Sequence, residues 1–231
     1  MAEKENLSNA PPIVTGKNFG AASIFEPENL LREARRQKNL PVGEVPEVCL
    51  LDPDGDIVRT LKKCRAQLSR FWACYHTDLY EFEHEGERLG VIGCAVGAPF
   101  AVLLAEQLFV SGCRFLVSMT SAGQILEQDP PPYFILIDRA LRDEGTSYHY
   151  LPPADFVDAD PLLVDSAMKT LADIIPPCIA ARPGLQTLLF VKRLQRLRIA
   201  GPATFLRSRW RRQPCTPSRK RGKGLSCVLP M

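Results

Sequence analysis

The sequence predicts an α/β fold around a mainly parallel or mixed sheet, and three observations carry that prediction. Short apolar strand-like runs alternate with helical patterns from Glu47 onward, the order that builds strands covered by crossover helices. The block Gly90–Tyr150 holds an apolar strand, a Gly turn, a long apolar helix, a second strand ending in a Ser/Thr/Gly loop, and a third strand. The turns after these strands are rich in Gly, Ser, Thr and backbone donors. Such loops lie at the carboxyl edge of a parallel sheet, where a phosphate or a sugar binds.

The elements follow in order. Residues 1–26 read as a flexible lead-in with scattered Asn, Gly and Pro. Pro27-Glu28-Asn29 starts a short helix through Arg36 with a solvated polar face. Glu47–Leu51 reads as a strand, closed by the turn Asp52-Pro53-Asp54-Gly55-Asp56. Helical spacing of Ile57, Leu61, Leu68 and Phe71 predicts a helix over Ile57–Phe71. Tyr80–Glu83 and Arg88–Ala95 read as two strands around Glu85-Gly86-Glu87. Pro99 suits the first turn of a helix running to Val110, and Ser111-Gly112 suits its end. Arg114–Met119 and Phe134–Ile137 are further strands, and Asp160–Ile175 has the pattern of an amphipathic helix.

Composition narrows the class. The 231 residues suffice for one sizeable domain or two small ones, and 45% of them are hydrophobic. No apolar run approaches the ~20 residues of a membrane span, and the N-terminus lacks the apolar core of a signal peptide. A cytoplasmic protein with no membrane partner is expected. The 8 cysteines form no CxxC pair and no metal-type spacing with His76, His84 or His149. Reduced thiols and no bound metal are therefore expected. The net charge of +3 hides an asymmetry: Asp173 is the last acidic residue, and residues 174–231 carry 13 Lys or Arg. The first 173 residues hold 16 basic against 26 acidic side chains, a balance of −10.

Several short motifs carry candidate chemistry. Gly55-Asp56-Ile57-Val58-Arg59 follows a strand and opens a helix. Its backbone amides suit an anion and its Arg can close on phosphate; an ordinary turn with a solvated Arg has the same sequence. Gly93 to Pro99 is a small-residue turn that lets backbone approach a ligand or simply pack tightly. Thr120-Ser121-Ala122-Gly123 ends a strand with two hydroxyls and a Gly, which suits sugar or phosphate oxygens as well as a plain polar turn. In Arg142–Tyr150, Arg142 can pair with Asp143 or Glu144, and Tyr148 or Tyr150 can stack on a base. His149 alone reads as structural.

Taken together and in order, these residues resemble the nucleoside phosphorylase family, over roughly Glu47 to Pro177. The branch concerned contains uridine phosphorylase, bacterial purine nucleoside phosphorylase and the methylthioadenosine/adenosylhomocysteine nucleosidases. Gly55 to Arg59 resembles the family's G-D-P-x-R phosphate loop, so the resemblance implies Gly55 and Arg59 as phosphate binders. Gly97 and Pro99 match its G-x-G-x-P turn, and Glu106 its helix Glu. Ser118 to Gly123 stands where R-x-G-[TS]-x-G is usual. There Ser121 represents the phosphate-binding hydroxyl, and Ser118 replaces an Arg, which removes a bidentate phosphate contact. The string Ser121-Ala122-Gly123 also matches the nucleosidases, which use water. RDEGTSYHY is close to the family's R-x-x-G-[TA]-S-x-H/Y segment.

The resemblance implies a single α/β domain over residues 27–177, with a twisted mixed central sheet flanked by helices and cut short on its C-terminal side. It implies Thr120, Ala122, Gly123 and Tyr148 on the substrate side, with no catalytic residue assigned. Nucleoside and orthophosphate are the implied partners, phosphate being the co-substrate with no further cofactor, and homo-oligomers are usual. The implied reaction is phosphorolytic cleavage of the N-glycosidic bond of a purine or pyrimidine nucleoside. A nucleosidase-type hydrolase and a catalytically inactive family member are the alternatives. Nucleic-acid binding by the basic segment is a further class, set aside because a basic run is ordinarily a solvated stretch.

The family's later Met-Glu pair, which holds the ribose hydroxyls, has no counterpart after Pro177. Residues 178–231 form a basic tail, in which Arg193–Gly201 can be amphipathic and the Pro/Arg/Lys-rich Arg207–Gly224 is not expected to pack a core. Back-translation gives a specific expectation. Codons exist for Ala181–Arg193 whose neighbouring frame spells GKTWTTDAPFRET, and for Arg207–Arg219 whose same neighbouring frame spells VEMEAAALYAFA. Both strings resemble the missing segments, in the right order. Trp210, with its single codon, forces the overlapping bases of the Met-Glu pair. The tail thus reads as family sequence in a shifted frame, with the change near Pro176–Ile179.

Overall fold

The computed structural model describes residues 11–122, 134–171, 178–180 and 223–226. Helix α1 (Pro27–Lys38) precedes strand β1 (Val48–Asp52), helix α2 (Asp56–Cys64) and strands β2 (Gln67–Leu68), β3 (Tyr80–His84) and β4 (Glu87–Gly93). Helix α3 (Ala98–Val110) leads to β5 (Phe115–Ser121) and β6 (Phe134–Leu136). The hairpin strands β7 (Arg139–Leu141) and β8 (Phe156–Asp158) follow, then helix α4 (Pro161–Leu171) and strands β9 (Cys178–Ala180) and β10 (Lys223–Ser226). Eight strands form a mixed sheet in the order β2-β3-β4-β1-β5-β10-β6-β9, and β7 pairs with β8 separately. The predicted α/β architecture with a mixed central sheet and flanking helices is what forms.

The centre of the sheet is parallel. β1 lies between β4 and β5, with Asp52 opposite Gly93 and Leu51 opposite Ser118. The carboxyl ends of three strands therefore share one edge. β1 is buried along most of its length because both faces are covered. Cys49, Leu51, Trp72, Ile92, Leu104 and Leu116 make the main core, joining strands β1, β4 and β5 to the apolar side of α3. Val58, Leu61 and Val91 seat α2 on the same sheet.

Local chemistry explains most boundaries. α1 ends where Asn39 takes a left-handed conformation (φ 51°), which Asn tolerates at a helix end. α3 starts with Pro99 in its first turn and stops at Ser111. The helix expected over Ile57–Phe71 stops at Cys64 instead. Gln67 and Leu68 pair antiparallel with Glu81 and Tyr80, so a strand ladder on a remote segment overrides the local helical spacing. Leu68 is exposed rather than part of a helix stripe. The β7–β8 pairing, Arg139 to Leu141 against Asp158 to Phe156, has no counterpart in the sequence reading.

Two strands come from the segment after Pro177. β9 pairs parallel with β6, and β10 runs antiparallel to β5 between it and β6. Gly123 and most of the basic tail, including both back-translated segments, lie outside the described residues. Within the lead-in, Lys17 Nζ lies 2.7 Å from His149 Nδ1. Among the described residues, no helix is long and apolar enough to cross a membrane.

Candidate functional site

The shared carboxyl edge is organised by Asp52, the last residue of β1. It is 1% exposed, and its Oδ1 accepts the Gly55 amide at 3.1 Å while Oδ2 accepts the Val58 amide at 2.9 Å. Its backbone carbonyl accepts from Gly55 (3.0 Å) and from Cys94 (2.8 Å). One buried carboxylate thus ties the end of β1 to the first turn of α2, where helix amides favour negative charge. The carbonyl of the same residue holds the turn after β4.

Gly55 is the N-cap of α2, at φ 74°. A Cβ there would stand 2.7 Å from Arg59 Nη1 and 2.7 Å from Cys94 Sγ, so the turn needs glycine for both conformation and space. Its own amide points back to Asp52. Arg59 folds over this turn: Nη2 donates to Asp54 O at 3.0 Å and to Asp56 Oδ1. The Asp56 carboxylate holds the guanidinium above its ordinary pKa. Gly93 allows the close packing of the two turns, since a Cβ there would meet Val58 Cγ1 at 2.2 Å.

The strand end of β5 comes to the same place. The Ser121 amide donates to Asp54 Oδ2 at 2.5 Å. This bond joins the Gly55–Arg59 turn to Thr120, Ser121 and Ala122. Thr120 Oγ1 makes a long contact, 3.4 Å, with Ser121 O. Gly55, Arg59, Thr120, Ser121 and Ala122 are therefore gathered at one edge.

Tyr148 is held elsewhere. Its hydroxyl donates to the carbonyl of Arg142 (3.2 Å), with that of Ala154 at 3.4 Å. The Arg142 guanidinium lies 4.4 Å from its ring centroid. Arg142 is 5% exposed and bonds Ser147 Oγ and the carbonyls of Leu151 and Pro152. Arg142 and Tyr148 thus brace their own loop. The sequence reading paired Arg142 with Asp143 or Glu144; its recorded partners are a hydroxyl and two carbonyls. Glu144 turns instead to the amides of Thr146 (2.6 Å) and Ser147 (3.0 Å). Burial pushes its carboxyl up, but the bonds from Ser147 and Thr146 outweigh burial and hold it below the ordinary carboxylate value. Tyr150 donates to Glu106 Oε1 at 2.7 Å, docking the loop on α3.

Sequence reasoning missed two carboxylates with site roles, Asp52 and Asp54. Their signal is the density of acid in Asp52-Pro53-Asp54-Gly55-Asp56, immediately before a helix start. It also missed a cavity of about 440 Å³ beside the turn, lined by Lys38, Arg59, Lys62, Tyr75, His76 and Cys94 among others. Among the described residues, no group of three or more His, Cys, Asp or Glu side chains is placed to hold a metal ion.

A sheet with a parallel centre, whose rim combines a glycine-capped helix start, a guanidinium and a hydroxyl-bearing strand end, defines an α/β protein with a polar carboxyl edge. A family model described as the phosphorylase superfamily matches residues 47–185, and the chain belongs to that superfamily. Its fold is similar to uridine phosphorylase from Vibrio fischeri ES114, with a TM-score of 0.50 and 18% identity, over 60% of this chain and 59% of that one. Purine nucleoside phosphorylase from Toxoplasma gondii, in complex with immucillin-H, gives a TM-score of 0.49 and 15% identity, over 59% of this chain and 56% of that one. The chain thus spans less than two thirds of the length of these solved structures. No curated protein matches significantly.

Proposed function

We propose that this chain is built for cleavage of the N-glycosidic bond of a purine or pyrimidine nucleoside, with orthophosphate as the acceptor. The observation that carries the reading is the Asp54–Ser121 bond, which places the Gly55–Arg59 turn against the Thr120–Ala122 strand end in a chain of the phosphorylase superfamily. In the reaction a phosphate oxygen bonds to C1′ as the C1′–N bond breaks, and the base leaves with the electron pair and takes up a proton. Arg59 and Ser121 are the phosphate-side groups, and the α2 start adds a favourable dipole. Thr120 and Ala122 are the substrate-side groups of this reading. Catalysis of this kind rests on positioning and charge stabilisation. The reading includes a cytoplasmic location and a homo-oligomer.

Hydrolysis by water is the second reading, and two observations favour it. Ser118 stands where the resemblance expects an Arg, and Arg59 already carries the Asp56 carboxylate. The test is release of free base from a panel of purine and pyrimidine nucleosides, with and without orthophosphate. Release that requires phosphate and yields a pentose 1-phosphate supports the first reading. Equal release without phosphate supports the second, and no release from any nucleoside overturns both.

A further inference from the structure

We infer that Asp54 is a built-in competitor for the anion at this edge, and that its carboxylate limits how tightly orthophosphate binds. The inference rests on the reading of Ser121 as a phosphate-side group and deepens it, by naming the residue that sets discrimination between a phosphate dianion and a neutral ligand.

The geometry is direct. A strand-end amide beside a hydroxyl and a helix start is a place for an anion's oxygen. At Ser121 that place is taken by Asp54 Oδ2, at 2.5 Å. A hydrogen bond to a carboxylate is charge-assisted and stronger than one between neutral groups. The carboxylate therefore stands where one oxygen of a bound phosphate would stand. Phosphate must displace it and then remain close to its negative charge.

The surrounding charge sharpens the effect. The turn Asp52–Arg59 carries three carboxylates, those of Asp52, Asp54 and Asp56, against the single guanidinium of Arg59. Arg59 is itself bonded to Asp56 and to the carbonyl of Asp54. The Asp56–Arg59 pair is well exposed, with side-chain exposures of 69% and 56%, and such pairs are weak and easily opened. Asp52 is buried and committed to the α2 amides. Asp54 is left as the carboxylate whose position and bond partner coincide with those of the incoming anion. Its side chain is exposed, so it is free to swing aside without disturbing the core. A hydroxyl-bearing neutral ligand meets no such repulsion.

The test measures orthophosphate binding to the full chain by calorimetric titration, in the wild type, Asp54→Asn, Asp54→Ala and Asp165→Asn. Asp165 is exposed on α4, and its variant makes the same change in net charge outside this turn. The expected result is that at least one Asp54 variant, folded by its melting transition, binds orthophosphate about tenfold more tightly than the wild type, as removal of one charged competitor predicts. Asp165→Asn leaves the affinity unchanged. The inference is overturned if neither Asp54 variant gains affinity, if no protein binds orthophosphate, or if Asp165→Asn gains as much. Because the readout is binding, it separates from the functional reading: tighter phosphate binding by an Asp54 variant, with no nucleoside cleaved, would sink the glycosidic proposal and leave this one standing.

Discussion

Asp52 and Glu144 do the same work in two different loops, each satisfying backbone amides at a point where the chain turns. Asp52 is fully buried and accepts two amides of the α2 start. Hydrogen bonds to a charged acceptor are worth about 1.5–3 kcal/mol each, and a buried amide left without a partner adds its own cost. Asp52→Ala should therefore destabilise the fold by about 3 kcal/mol or more, read as a fall in the denaturation midpoint. Asp52→Asn keeps an acceptor and should cost less. Equal midpoints for Asp52→Ala and wild type would show that the turn holds without its carboxylate. For Glu144 the depressed pKa gives a pH signature. The unfolded carboxyl titrates near its ordinary value, about 4.3, and the folded one lower. Its contribution to stability is thus complete above the unfolded value and disappears as pH falls through the folded one. In denaturation series from pH 7 to pH 3, the difference between wild type and Glu144→Gln should be constant above about pH 5 and shrink below it. A difference that grows on acidification would reverse the assignment.

Helix α3 supplies a prediction of the opposite sign. Gln107 is 0% exposed, and neither its Oε1 nor its Nε2 has a hydrogen-bond partner among the described residues. A buried amide without partners loses its hydration and regains nothing. Gln107→Met fills a similar volume without the polar atoms and should stabilise by about 1 kcal/mol, seen as a higher melting temperature. A lower one would mean that the amide finds a partner after all. The same element shows what was legible in advance. α3, β4 and β5 were readable because their apolar runs are long and end in Gly, Pro or Ser signals. β2, β7 and β8 were not, because two or three residues carry no period and their pairing depends on distant partners. At the site, Gly55 and Arg59 were readable as a strand–turn–helix unit. Asp54 was not, because the amide it accepts is 67 residues further along the chain. Tyr148 was readable as an aromatic candidate for the substrate side, but the bonds that hold its hydroxyl in its own loop arise only on folding.

At the scale of the whole molecule, the family resemblance and the basic tail have to be explained together. The superfamily match covers residues 47–185, ending shortly after strand β9 (Cys178–Ala180). The solved uridine phosphorylase has about two fifths of its length outside the correspondence, since 59% of it is covered. Here 13 basic residues and no acidic one follow Asp173, and the described strands of this segment are the short β9 and β10. We propose that residues beyond Pro176–Ile179 are family sequence read in a neighbouring frame. The coding sequence should then spell GKTWTTDAPFRET across codons 181–193 and VEMEAAALYAFA across codons 207–219, both in the same shifted frame. Sequencing the gene decides this, and absence of both strings from the two other frames would refute it. The physical consequence is equally testable. The shifted reading restores the Met-Glu pair that the resemblance assigns to the ribose hydroxyls, to complete the site for which we propose Arg59 and Ser121 as phosphate-side groups. A chain expressed with the frame restored should therefore release base from at least one nucleoside faster than the present chain does under the same conditions. It should also melt at a higher temperature, because further apolar segments would add buried surface to the fold. If the restored chain neither melts higher nor cleaves faster, the tail is not the missing half of the site.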